Sequence, residues 1–118
     1  MRFESDGTFG RATAGGEVEP DAASDLATVA LARASADRLS TLLVDFRQLR
    51  LTRPLSVAES YALGKHLARA GGGLSKVAFL VAPGRAEPNS FALAVAGNRG
   101  LPAAAFDDEE RALQWLEG

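Results

Sequence analysis

The chain has 118 residues, 47% of them hydrophobic and 24% charged, which is enough for one globular domain with one modest core and too little for two. A net charge of −2 argues against a duplex nucleic-acid partner, and the lack of cysteine excludes disulfides, thiolate zinc sites and cysteine nucleophiles. The longest apolar run, Val77-Ala78-Phe79-Leu80-Val81-Ala82, is far shorter than the roughly 20 residues of a spanning helix, and the first seven residues hold no apolar segment, so neither a membrane span nor a secretory signal is expected and the cytoplasm is the expected location.

Phe3-Glu4-Ser5 and the stretch from Thr8 to Thr13 flank Asp6-Gly7. That dipeptide supplies the positive φ angles of a type I′ turn and predicts a hairpin. Ala14-Gly15-Gly16 reads as a break. Pro20 suits the first turn of a helix that runs to about Ala36, with Asp21 and Asp25 near its positive end. From Leu39 to Phe46 the run Thr41-Leu42-Leu43-Val44-Asp45-Phe46 lacks polar alternation, as a strand covered on both faces does. Arg47 to Leu55 reads as a loop. Ser56-Val57-Ala58-Glu59 is a capping box that opens a helix to Ala70, which Gly71-Gly72-Gly73 stop. On its wheel Val57, Tyr61, Leu63, Gly64, Leu67, Ala68 and Ala70 share an apolar arc. Small Ser60 and Gly64 inside that arc predict close approach to a sheet, while Glu59, Lys65, His66 and Arg69 face away.

Val77 to Ala82 is the strongest strand signal, ended by Pro83-Gly84. Pro88 and Asn89 open a helix to about Arg99, closed by Gly100. Leu101 to Phe106 is a last strand, and Asp107-Asp108-Glu109-Glu110 begins a helix through Leu116, with Asp107 and Glu110 at capping-box spacing. The order ββαβαβαβα predicts one α/β domain over residues 1–118 with a mixed, mostly parallel sheet.

This order and several segments resemble the STAS superfamily, and its SpoIIAA-like branch in particular. The anchors are Leu42-Leu43-Val44-Asp45-Phe46-Arg47, Lys76-Val77-Ala78-Phe79-Leu80-Val81, Ala96-Gly97-Asn98-Arg99-Gly100, and the ending from Phe106 to Leu116. The resemblance implies a small non-enzymatic module, of a branch that has been compared with CRAL-TRIO lipid carriers. In the anti-sigma-factor antagonists of that superfamily a phosphorylatable Asp-Ser pair opens the helix after the buried strand. Arg53-Pro54 stand near that place here, so a switch of that type is not expected, and Ser56 is accounted for as a cap.

The residues themselves carry little chemistry. His66, the sole histidine, lies on a polar arc beside Lys65 and Arg69 and reads as solvated. Asp107 to Glu110 reads as a capped helix start rather than a metal site, and Phe106 with Trp115 as a clamp for the terminal helix. No Gly-x-Ser-x-Gly elbow or phosphate-binding glycine loop is present. No catalytic residue, metal or cofactor is predicted.

Two expectations remain. Eleven arginines stand against two lysines, and the loops from Arg47 to Leu55 and from Pro83 to Pro88 would both leave the carboxyl edge of the sheet. They bring Arg47, Arg50, Arg53 and Arg85 together with helix starts at Ser56 and Asn89, which predicts an anion site. From Pro88 to Asn98 the helix has no charge, which predicts a covered face at Phe91, Ala92, Val95 and Ala96, as in a two-fold homodimer. The expected function is a regulatory or ligand-binding module that recognises a protein partner or a small anionic or lipid-like ligand. The alternative is an enzyme that holds an anionic substrate with its arginine-rich loops.

Overall fold

The computed structural model describes residues 1–85 and 90–118. β1 (Arg2–Asp6) and β2 (Phe9–Val18) form an antiparallel hairpin, and α1 (Pro20–Ala36), β3 (Thr41–Leu51), α2 (Val57–Ala70), β4 (Lys76–Leu80), α3 (Ser90–Asn98), β5 (Ala103–Phe106) and α4 (Glu109–Glu117) follow. The sheet order is β1-β2-β3-β4-β5, with β2 through β5 parallel. Strands added in one direction through crossovers of constant hand return every connecting helix to the same face. Accordingly α1, α2 and α3 pack on one face, and α4, which connects no further strand, packs alone on the other.

Period-two alternation builds both cores. Leu42 and Val44 of β3 and Val77 and Phe79 of β4 belong to the three-helix core, while Leu43, Ala78 and Leu80 face α4 together with Ala112 and Leu116. The expected burial of Val44, Phe79 and Val81 holds, and His66 is exposed. The rings of Phe106 and Trp115 meet at a tilt of 48° with centroids 5.7 Å apart, and Lys76 Nζ donates to the Trp115 carbonyl at 2.8 Å, which fastens α4 to the sheet.

Several local expectations need correction. The hairpin centres on Gly7-Thr8, and only Gly7 has positive φ (62°), so the turn has the II′ pattern of glycine first rather than I′. Ala14-Gly15-Gly16 does not break the chain, because a neighbouring strand supplies the hydrogen bonds: Gly15 to Val18 pair with Gln48 to Leu51. For the same reason the predicted loop from Arg47 is strand as far as Leu51. Between the pairs Thr13↔Asp45 and Gly15↔Gln48, Phe46 and Arg47 together oppose Ala14, a bulge in β3.

Gly64 does allow close approach, but to a helix rather than to the sheet. A Cβ there would lie 2.5 Å from the Ala92 carbonyl oxygen and 2.6 Å from Val95 Cβ. The apolar arc of α2 is narrower than its wheel, since Val57 and Tyr61 are exposed (76% and 43%). At α4 the cap is Asp108, which accepts from the amides of Glu110 and Arg111, and not Asp107. The expected opening of α3 at Pro88 and Asn89 lies outside the described residues.

Candidate functional site

A cavity of about 460 Å³ opens at the carboxyl end of β3 and β4, on the three-helix face. Its floor is Phe46 and Phe79, whose rings meet edge to face at 6.2 Å, with Val81 and Ala82 beyond them. One wall is Leu49 and Leu51 of β3. β4 ends at Leu80, so this part of β3 runs on with only β2 beside it, as a two-stranded ribbon past the sheet edge. The opposite walls come from Ala23, Ser24 and Ala27 of α1, Leu63 and Leu67 of α2, and Ala92 and Leu93 of α3. The α1 side of the cavity is made of small residues, Ala23, Ser24 and Ala27.

The bulge makes that wall. Without it, alternation from Leu42, Val44 and Phe46 would carry Gln48 and Arg50 to the cavity face. The extra residue resets the phase, so Leu49 and Leu51 line the cavity and Arg50 falls on the opposite side of the strand.

The four arginines expected around one anion therefore divide between the two faces. Arg53 and Arg85 line the cavity. Arg47 lies on the α4 face, where its Nη2 donates to Asp45 Oδ2 at 2.8 Å and to Glu109 Oε1 at 3.1 Å. Arg11 of β2 completes that network, with Nη2 reaching Glu109 Oε1 at 2.9 Å and Asp45 Oδ2 at 3.2 Å. Burial alone would push the Asp45 carboxyl up, but hydrogen bonds and charge from Arg47 and Arg11 outweigh it and hold the group below the usual carboxylate range. Hydrogen bonding from Arg11 holds Glu109 down in the same way. These charges tie the start of α4 to the sheet, and Arg11 and Glu109 went unnoticed in the sequence because nothing local links positions 98 residues apart.

At the cavity rim Arg53 forms a two-pronged pair with Glu59, Nη1 to Oε1 and Nη2 to Oε2, both at 2.8 Å. Glu59 also accepts from the Ser56 amide at 2.8 Å, and Ser56 Oγ accepts from the Glu59 amide at 3.1 Å. The predicted capping box is thus complete, and at the Ser56 helix start expected to meet an anion the Ser56 amide is already taken by Glu59. Arg53 first, and the Ser56 amide second, lower the Glu59 carboxyl to about 2. Asn89, the sixth residue expected there, lies outside the described residues.

The expected subunit interface is corrected by the same packing. Ala92, Val95 and Ala96 are buried inside the protomer against α2 and the sheet, so they cannot meet a second copy; only Phe91 is exposed, at 46%. The helix lacks charge on that side because it is core. Among the described residues, no helix is long and apolar enough to cross a membrane. No protein-family model, curated protein or solved structure matches this chain.

Proposed function

We propose that this chain is a non-enzymatic binding module of STAS-like, SpoIIAA-like type that takes one small lipid-like ligand into the cavity between β3, β4 and the three helices. The observation that carries the reading is an apolar cavity of about 460 Å³ at the carboxyl ends of parallel strands. Small-molecule sites are concave, mostly apolar and about 300–1,000 Å³ in volume, and open α/β sheets hold their ligands at that edge. A concave site of this size favours a small molecule over a protein partner. The described lining offers the hydroxyls of Ser24 and Thr52 and the guanidinium groups of Arg53 and Arg85. Such groups can hold a ligand by its polar end while the apolar lining takes its body.

The test is an NMR titration of the 15N-labelled protein with decanol. One saturable site is expected, with the largest amide shifts at Leu51, Leu63 and Val81. Ser24→Phe, which places a ring in the void, should abolish those shifts while leaving a folded spectrum. Failure of both decanol and decanoate to saturate any site, or saturation with shifts confined to the α4 face, would sink the reading.

A further inference from the structure

A guanidinium has five N–H donors arranged along planar edges that match a carboxylate. Arg53 spends three of them. Glu59 takes the edge between Nη1 and Nη2, and the second Nη1 hydrogen goes to the Pro54 carbonyl at 3.2 Å. Among the described residues the Nε and outer Nη2 hydrogens, which form the other fork, meet no protein acceptor. Glu59 in turn is fixed by its cap, so the Arg53 plane is held from one side and offers a second two-pronged edge from the other. Arg53 is also one of two guanidinium groups lining the cavity.

The surrounding charge limits what can bind there. Glu19 and Asp21 act on Arg53 through space in addition to Glu59. Among the described residues Arg53 and Arg85 stand against Glu59 and the more distant charges of Glu19 and Asp21, an arrangement that suits a single negative charge better than two. Recognition must come from the shape of the fork and from a single negative charge.

From this we infer that the cavity selects an amphiphile ending in a planar monocarboxylate, the apolar body lying on Phe46 and Phe79 and the head group gripped by the Nε/Nη2 edge of Arg53. The inference rests on the cavity being the binding site. Its test compares decanoate, decanol and decyl phosphate by NMR titration of the wild type, Arg53→Gln and Arg53→Lys proteins at neutral pH. Decanoate should bind wild type about tenfold more tightly than decanol, the scale of one charge-assisted fork at a solvated rim. Decyl phosphate should bind less tightly than decanoate. Arg53→Gln should remove the preference, decanoate and decanol then binding alike, and a saturable decanol site with shifts at Leu63 and Val81 reports that the cavity is intact. Arg53→Lys keeps the charge without the fork and should lose most of the preference. Equal binding of decanoate and decanol to wild type would overturn the inference and leave the cavity reading standing. So would a preference that survives Arg53→Gln, full preference in Arg53→Lys, or tighter binding of decyl phosphate. Absence of binding by all three probes would overturn the cavity reading itself.

Discussion

The two faces of the sheet carry arginines in opposite ways. On the α4 face Arg11 and Arg47 each bridge both carboxylates: with Asp45 and Glu109 they form a network in which two cations meet two carboxylates, and Asp45 is only 7% exposed. On the three-helix face Arg53 is held by one edge and open on the other, at the rim of a cavity. The first arrangement fastens a helix; the second can take a ligand. Residue type does not distinguish them. What does is whether Nη2 is shared between two carboxylates, as in Arg11 and Arg47, or serves one, as in Arg53.

The contrast can be broken most severely at the core between α2 and α3. Ala96 is fully buried, so Ala96→Glu should cost more than about 4 kcal/mol through a carboxylate placed without a partner among apolar groups. Urea unfolding measures this. A folded variant of near wild-type stability would restore an exposed face for that helix and revive the dimer.

A smaller effect tests whether the α4 network is fastening. Asp45→Asn should cost about 1–3 kcal/mol, below the cost of breaking a fully buried pair because Arg11 and Arg47 remain partly solvated. The pH dependence has a definite sign. Asp45 and Glu109 titrate lower in the folded chain than in the unfolded one, so their stabilisation is complete above about pH 5 and drains as the pH falls through the depressed folded values. Urea midpoints measured down to acid pH should fall steeply in the wild type and less steeply in Asp45→Asn.

The smallest effect belongs to the rim. Arg53→Gln should leave the melting temperature at neutral pH within about 3 °C of wild type, as expected for an exposed pair. Its signature in scanning calorimetry is a weaker acid dependence between the ordinary glutamate range, near pH 4.5, and about pH 2, where Glu59 titrates in the fold. A loss of stability as large as that of Asp45→Asn would erase the distinction between a fastening and a receiving arginine.

What the sequence disclosed was local or periodic. Ser56 and Glu59 specify their cap by spacing, and the run from Thr41 to Phe46 alternates between two cores in the way an enclosed strand must. The element order and the parallel pairing followed from turn residues and hydrophobic runs. The ribbon beyond the sheet edge was hidden because Gly15, Gly16 and Gln48 have no strand preference of their own; each is held by the partner strand. Leu49, Leu51 and Arg53 could have been found as a site only with the bulge in hand, since one residue of phase decides which of Leu49 and Arg50 enters the cavity. Ala92 and Val95 misled for a related reason: a helix without charges is as consistent with an internal neighbour as with an external one, and the small residue that admits the neighbour, Gly64, lies on another element.

The bulge in β3 also makes the cavity's chemistry a matter of reading frame along a strand. Deleting either Phe46 or Arg47 would restore one-to-one pairing with Ala14 and could leave the ladder to Val18 unbroken. Gln48 would stay opposite Gly15, and Leu49 and Leu51 opposite Gly16 and Val18, so the two leucines would keep their place in the cavity wall and Arg50 its place on the other side. A single codon gained after Gln48, by contrast, would set Leu49 opposite Glu17 and Arg50 opposite Val18, exchanging an oily wall for a charged one on the same scaffold.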